Sequence, residues 1–209
     1  MNKSLKTYLS ILFCSILLLS LIFLISYAIN RKYNAYEDYQ KEKELEYWSV
    51  RYNLVELTQD YINTVAPGSD VSAIQILECC DKYNIDIRLL LSQGFNESHF
   101  GTKGLASKTN SIFNIGAYDS TVFDKILGIH KYSHPNKSIE PYCKLLQKNY
   151  LVNKTELDLI SNFVDISGNR YASSSTYEKA LRETWEKLNS LGFEDLLNNY
   201  NKIKLETNH

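Results

Sequence analysis

Residues 91–111 read LSQGFNESHFGTKGLASKTNS, an apolar helical run that gives way, at Glu97-Ser98, to a Gly-punctuated string of small and polar residues. Upstream, Asp86 stands as an N-cap, so the pattern predicts a helix from Ile87 towards Ser98. On that helix Ile87, Leu90, Leu91, Gly94, Phe95 and Ser98 share one face. At about 100° per residue, Glu97 lies roughly 80° from the centre of that face, on its border. A carboxylate there is partly desolvated, which lifts its pKa towards the range a general acid needs. Gly94, one turn earlier, is expected to leave room beside it for a ligand.

Outward from this run the chain reads as helices joined by short turns. Val71 to Tyr83 carries Val71, Ile74, Leu77 and Cys80 at helical spacing, with N-cap candidates in Pro67-Gly68-Ser69-Asp70. Between Ser111 and Asn136 the pattern is irregular, with Gly116, Gly128 and Pro135, which predicts a loop or a small β-lobe. Ser138 is expected to cap a helix with the stripe Ile139, Tyr142, Cys143, Leu146 and Tyr150. Leu157, Ile160 and Val164 mark a short helix closed by Gly168. Ser175-Thr176-Tyr177-Glu178 reads as a capping box opening a helix through Trp185 and Leu188. The sum is a mainly α domain over residues 67–200, with a tail at 201–209.

The N-terminus carries a different signal. After a short tail at 1–6, residues 7–30 contain no charge. An apolar run of about 22 residues spans roughly 33 Å as a helix, enough to cross a hydrocarbon core. Signal peptides have shorter apolar regions, and Ser26-Tyr27-Ala28 is a poor cleavage site, so an uncleaved signal anchor is expected. Residues 31–66 predict a helical juxtamembrane stalk with Leu45, Trp48, Tyr52, Val55 and Ile62 on one face. Lys3 and Lys6 before the span nearly balance Arg31 and Lys32 after it. The expected arrangement is a cytoplasmic N-terminus with the domain facing periplasm or cell wall, a choice that rests partly on function.

Composition excludes more than it assigns. A net charge of −1 speaks against a nucleic-acid partner, and 16 Tyr against 2 Trp suits wet-edged cores and carbohydrate grooves. Cys14 lies in the anchor, and the odd set Cys79, Cys80 and Cys143 cannot all pair internally. His99, His130 and His134 have no zinc-type spacing, and neither a phosphate loop nor a nucleophile elbow is present. No metal and no cofactor is expected.

Four ordered motifs carry a resemblance. Glu97-Ser98, Gly101, Leu105-Ala106, Asn110, Phe113 and Ile115-Gly116 match in order a helix ending in Glu-Ser, a Gly, a Leu-Ala pair and an Asn-x-Phe turn. They are preceded by KYNIDIRLLLSQGFNES and followed by KYSHPNKSIEPYCKLL and RYASSSTYEKAL, the last similar to a Tyr-Ala-x-x-x-x-Tyr motif. The run from Val71 to Leu188 thereby resembles the glucosaminidase-type glycoside hydrolases of family 73, within the lysozyme-like superfamily. The resemblance implies an α+β, lysozyme-like domain whose small β-lobe flanks a cleft, and an enzyme that cleaves β-1,4 bonds of peptidoglycan. It casts Glu97 as the general acid and Tyr171 as a catalytic-site residue beside the scissile sugar. Ser98, Asn110, Phe113, Tyr118 and Tyr177 become substrate-side residues. One departure is clear: Phe113-Asn114-Ile115-Gly116 stands where the family often has Phe-Gly-Ile. For the second carboxylate, which an inverting enzyme holds about 6.5–9.5 Å from the acid, Asp119 is the first choice and Asp124 the other. Assistance from the substrate's acetamido group, a muramidase or lytic transglycosylase on the same fold, and a non-catalytic glycan-binding or partner-binding module stay open as alternatives.

Overall fold

The structure, a computed structural model, describes residues 3–116 and 130–207. It is mainly α, as the periodicity predicts. In chain order the helices are α1 (Lys3–Val65), α2 (Ala73–Tyr83), α3 (Ile87–Ser98), α4 (Ala106–Thr109), α5 (Ile139–Leu145), α6 (Glu156–Ser161), α7 (Tyr177–Ser190) and α8 (Phe193–Thr207). A 3-10 turn, Pro135–Ser138, leads into α5, and a π turn, Leu146–Tyr150, leads out of it. An antiparallel β bridge pairs Val164 with Arg170. Residues 117–129 of the expected loop or β-lobe lie outside the described residues.

The chain forms two compact units, residues 1–49 with 202–209, and residues 50–201. In the first, the large apolar side chains from Tyr8 to Ile29 are exposed along α1. By length and composition, α1 is the one helix among the described residues that is long and apolar enough to cross a membrane. Lys43 holds both Glu46 and Glu206, at 2.8 and 3.0 Å.

In the second unit the α1 face differs from the expected stripe. Tyr52 is exposed, while Val50, Leu54, Thr58, Tyr61 and Ile62 are buried. Two overlapping helical series run through this aromatic-rich stretch, and periodicity alone does not choose between them. Gln59, which interrupts the expected stripe, has a task of its own. Its Oε1 accepts from Ala73 N at 3.0 Å and so caps α2, where the Ser72 side chain makes no cap. Ser69, expected among the caps, instead donates to Phe100 O at 2.7 Å. Helix α2 is rotated too: Ile74 is exposed, and Ala73, Ile76, Leu77, Cys79 and Cys80 are buried.

Helix α3 is the centre of this unit. Asp86 caps it as predicted, accepting from Arg88 N at 2.8 Å. Every residue from Leu89 to Gly94 is buried, so α3 has no solvent face over that length and the expected amphipathic border does not exist. Gly94 does not open space for a ligand. A Cβ built there would stand 2.8 Å from Phe100 Cε1, because the Phe100 ring already fills that volume.

Three further helix starts differ from expectation. Ser138 does not cap α5; its Oγ donates to Pro135 O and accepts from Ile112 N. The stripe Ile139, Tyr142, Cys143, Leu146 and Tyr150 is nonetheless buried throughout. Helix α6 is opened by a capping box of Thr155 and Asp158, and Leu157 is exposed. Gly168, at φ +82°, serves the turn from Asp165 to Asn169 rather than the end of a helix. At α7 no capping box forms: Glu178 pairs with Arg170 at 2.7 Å and accepts from Phe163 N. Helix α8, absent from the sequence reading, buries Phe193, Leu197 and Tyr200, and the Tyr200 hydroxyl donates to Asp81.

The wedge predicts a specific non-additivity. Gly94→Ala gains about 1 kcal/mol of helix propensity but forces the Phe100 ring aside, at about 1–3 kcal/mol. Urea unfolding is expected to show net destabilisation. In a Phe100→Ala background the same substitution becomes neutral or stabilising.

Candidate active site

The site is built where α3 ends. His99, Phe100 and Gly101 all take positive φ, at 47°, 50° and 84°, and reverse the chain. Two of these are not glycine, and such a backbone costs of order 1 kcal/mol per residue. It is held by Phe100 N donating to Gly94 O at 2.8 Å and by the buried Phe100 ring. Ser98 fixes the return: its Oγ donates to Ile112 O at 2.6 Å and accepts from Gly101 N at 2.8 Å. Residues 111–115 are thereby brought beside the last turn of α3.

Asn114 is the consequence. Its Nδ2 donates to the Glu97 carbonyl at 2.9 Å and to Glu97 Oε2 at 3.2 Å. From α7 the Tyr177 hydroxyl is turned to the Glu97 carboxyl closely enough to influence its titration, and it accepts from Gln93 Nε2 at 3.0 Å. Burial pushes the Glu97 carboxyl above its ordinary value, and the bonds from Tyr177 and Asn114 pull in the opposite direction without cancelling it. A carboxyl inclined to keep its proton, with one side towards open space, is equipped to donate that proton.

That space is a cleft of about 980 Å³ lined by Glu97, Asn114, Gly116, Tyr150, Asp165, Asn169, Arg170, Tyr171 and Ala172–Ser174. Tyr171 stands in its wall, with ring centroids 5.7 Å from Tyr150 and 6.0 Å from a stacked Tyr177. The Tyr171 hydroxyl donates to Phe113 O, so its ring is what it offers the cleft. Phe113 itself is buried and stacked on Tyr142 at 3.9 Å. Ser98 is buried with its hydroxyl bonded on both sides, and Asn110 ends α4 at φ +56° with its amide on Tyr132 O. These three hold the scaffold and do not line the cleft. Tyr118 and Asp119 lie outside the described residues, as does Asp124.

Three residues were missed. Asn114 was visible only as a departure from a motif. Gln93 lies four residues before Glu97, one helical turn away, which is the available signal. Asp165, the other carboxylate lining the cleft among the described residues, left none. Its oxygens accept from Ser167 N, Asn169 N and Asn169 Nδ2, and the bonds from Asn169 hold it below the usual carboxylate range. Among the described residues no three His, Cys, Asp or Glu side chains gather as a metal site would require.

A family model, glucosaminidase (mannosyl-glycoprotein endo-beta-N-acetylglucosaminidase), matches residues 73–190, more than half of the chain. The chain belongs to this family. Its glucosaminidase domain is a glycosidase domain, and the match takes in α2 to α7 and hence every described cleft residue. Among solved structures, the catalytic domain of the autolysin Auto from Listeria monocytogenes is similar at 19% identity. The likeness covers 66% of this chain and 87% of that one, with a TM-score of 0.40. No curated protein matches.

The raised Glu97 pKa makes a stability prediction for the glucosaminidase domain. A carboxyl whose folded value exceeds its unfolded value is destabilising once ionised, so stability falls as pH rises from the unfolded value through the folded one. Glu97→Gln is therefore expected to raise Tm at neutral pH by about 2–4 °C. The gain vanishes below the unfolded carboxyl value near pH 4, and thermal unfolding at several pH values checks both limbs.

Proposed function

We propose that the protein is a membrane-anchored peptidoglycan hydrolase, an endo-β-N-acetylglucosaminidase in which Glu97 protonates the leaving glycosidic oxygen. The observation that supports this most is the half-buried Glu97 carboxyl, opening on the cleft between Asn114 and Tyr177. As the bond breaks, positive charge builds on the sugar ring and the leaving oxygen takes the proton. Tyr171 and Tyr150 give aromatic faces on which a sugar can stack. The match to the glucosaminidase family supports a glycan containing N-acetylglucosamine as the substrate class, and we take that glycan to be peptidoglycan. Asp119 is our second carboxylate; it follows Gly116 at the cleft rim by three residues. Asp165 competes for that role from the loop on the far side of the cleft lining, with its carboxyl held below the usual range by Asn169.

The apolar α1 supports a single span, with the N-terminus cytoplasmic and the domain on the side of periplasm or wall. Substrate then meets the domain without crossing the bilayer. Protease added to intact spheroplasts is expected to remove the domain and spare an N-terminal tag; protection of the domain would reverse the topology.

In a wall-embedded zymogram the wild type is expected to clear a zone and Glu97→Gln to lose about 10²–10⁴ in rate. A clearing Glu97→Gln variant would remove the acid assignment. Mass spectrometry of the digest is expected to show new reducing N-acetylglucosamine ends. Reducing muramic ends would make it a muramidase, and anhydro ends a transglycosylase. Asp119→Asn and Asp165→Asn, compared in the same assay, assign the second carboxylate to whichever loses more.

A further inference from the structure

Gln93 is fully buried in α3, one helical turn before Glu97. Among the described residues its side chain makes one hydrogen bond, from Nε2 to the Tyr177 hydroxyl, and its Oε1 has no partner. Packing does not explain such a group, since a Met would fill the volume without a buried unpaired oxygen. The bond it makes has a direction. A carboxamide N–H only donates, so the Tyr177 oxygen accepts from Gln93 and the phenolic hydrogen is left to turn towards the neighbouring Glu97 carboxyl. The reverse amide orientation would turn the phenolic hydrogen towards Gln93 Oε1 and leave two buried N–H groups without partners.

We propose that Gln93 is a positioning residue that sets the polarity of the Tyr177 hydroxyl, making it a donor to Glu97 and keeping the acid proton of Glu97 for the cleft. Without that bond the Tyr177 oxygen is free to accept from a protonated Glu97, and the proton is drawn into the protein instead of towards the glycosidic oxygen. Asn114 works in the same sense from the other side, since its Nδ2 also only donates. The groups around the carboxyl are these two, with the phenol of Tyr142 behind and that of Tyr171 stacked on Tyr177. Among the described residues the one cation in the cleft lining, Arg170, is paired with Glu178. The inference rests on the general-acid role proposed for Glu97.

The test is a double-mutant cycle in the full chain, purified in detergent. Gln93→Met and Tyr177→Phe both keep bulk, and equal or higher Tm than wild type shows that they fold. Gln93→Met is expected to lower kcat on peptidoglycan roughly 10- to 100-fold with little change in KM. Its alkaline limb should move to higher pH, because a donor to the carboxylate has been weakened. In the Tyr177→Phe background the same substitution should do nothing further. An equal loss in both backgrounds overturns the inference, as does an unmoved pH limb. A readout free of activity separates the two proposals: carbon NMR of labelled Glu side chains, with Glu97→Gln for assignment, follows the Glu97 titration directly. An unmoved Glu97 titration in Gln93→Met, with Glu97→Gln inactive, overturns the inference alone. Retained activity in Glu97→Gln overturns the acid role on which it stands.

Discussion

The ring of Phe100 occupies the volume that any side chain at position 94 would need, and the site depends on that exclusion. Because residue 94 has no Cβ, Phe100 can fold back onto the helix that precedes it. That contact holds His99 and Phe100 in left-handed backbone, turning the chain hard enough for Ser98 to reach both Gly101 and Ile112. The returning segment then carries Asn114 to Glu97. Remove the wedge, and the carboxyl loses a partner that lies 17 residues away in sequence.

Around Glu97 two opposed effects of similar kind compete. Desolvation favours the neutral acid, and two donors favour the anion; burial wins, so the acid keeps its proton above the ordinary range. The donors are not thereby idle. They hold a carboxyl that must cycle between two protonation states in one place while it does so. The cluster of Tyr142, Tyr150, Phe163, Tyr171 and Tyr177 supplies the low-dielectric wall that makes the desolvation large. The abundance of Tyr over Trp in the composition thus serves both the core and the cleft.

The sequence was most legible where one local rule decides the outcome. Asp86 and Ile87–Ser98 hold because capping and period agree there, and the stripe from Ile139 to Tyr150 holds on its period alone. It was least legible where a distant partner supplies what a local rule assigns nearby. Gln59 caps α2 from another helix, and Glu178 leaves its own capping box for Arg170. The reading of Glu97 shows the same division. Its chemical role was suggested by the motif around it, but the geometric premise, an amphipathic border, was wrong. Its burial comes from tertiary packing around α3, and its partners Asn114 and Tyr177 come from segments no periodicity connects to it. Tyr171 and Tyr177 were told apart only by where their hydroxyls go.

The π turn at the end of α5 sets a rule for how this cleft can change. There Leu151 N reaches back five residues to Leu146 O, and Asn149 O receives Ile166 N from the loop that carries Asp165. Tyr150, the last residue of that turn, faces the cleft. A widened turn carries one residue more than an α-helix needs between the same ends. Were the turn tightened to a regular α-helix with that residue kept, Tyr150 and Asn149 would rotate by about 100°. The aromatic wall and the fastening of the Asp165 loop would go together. Change here is quantised: the cleft keeps this register, or one whole wall of it is rebuilt.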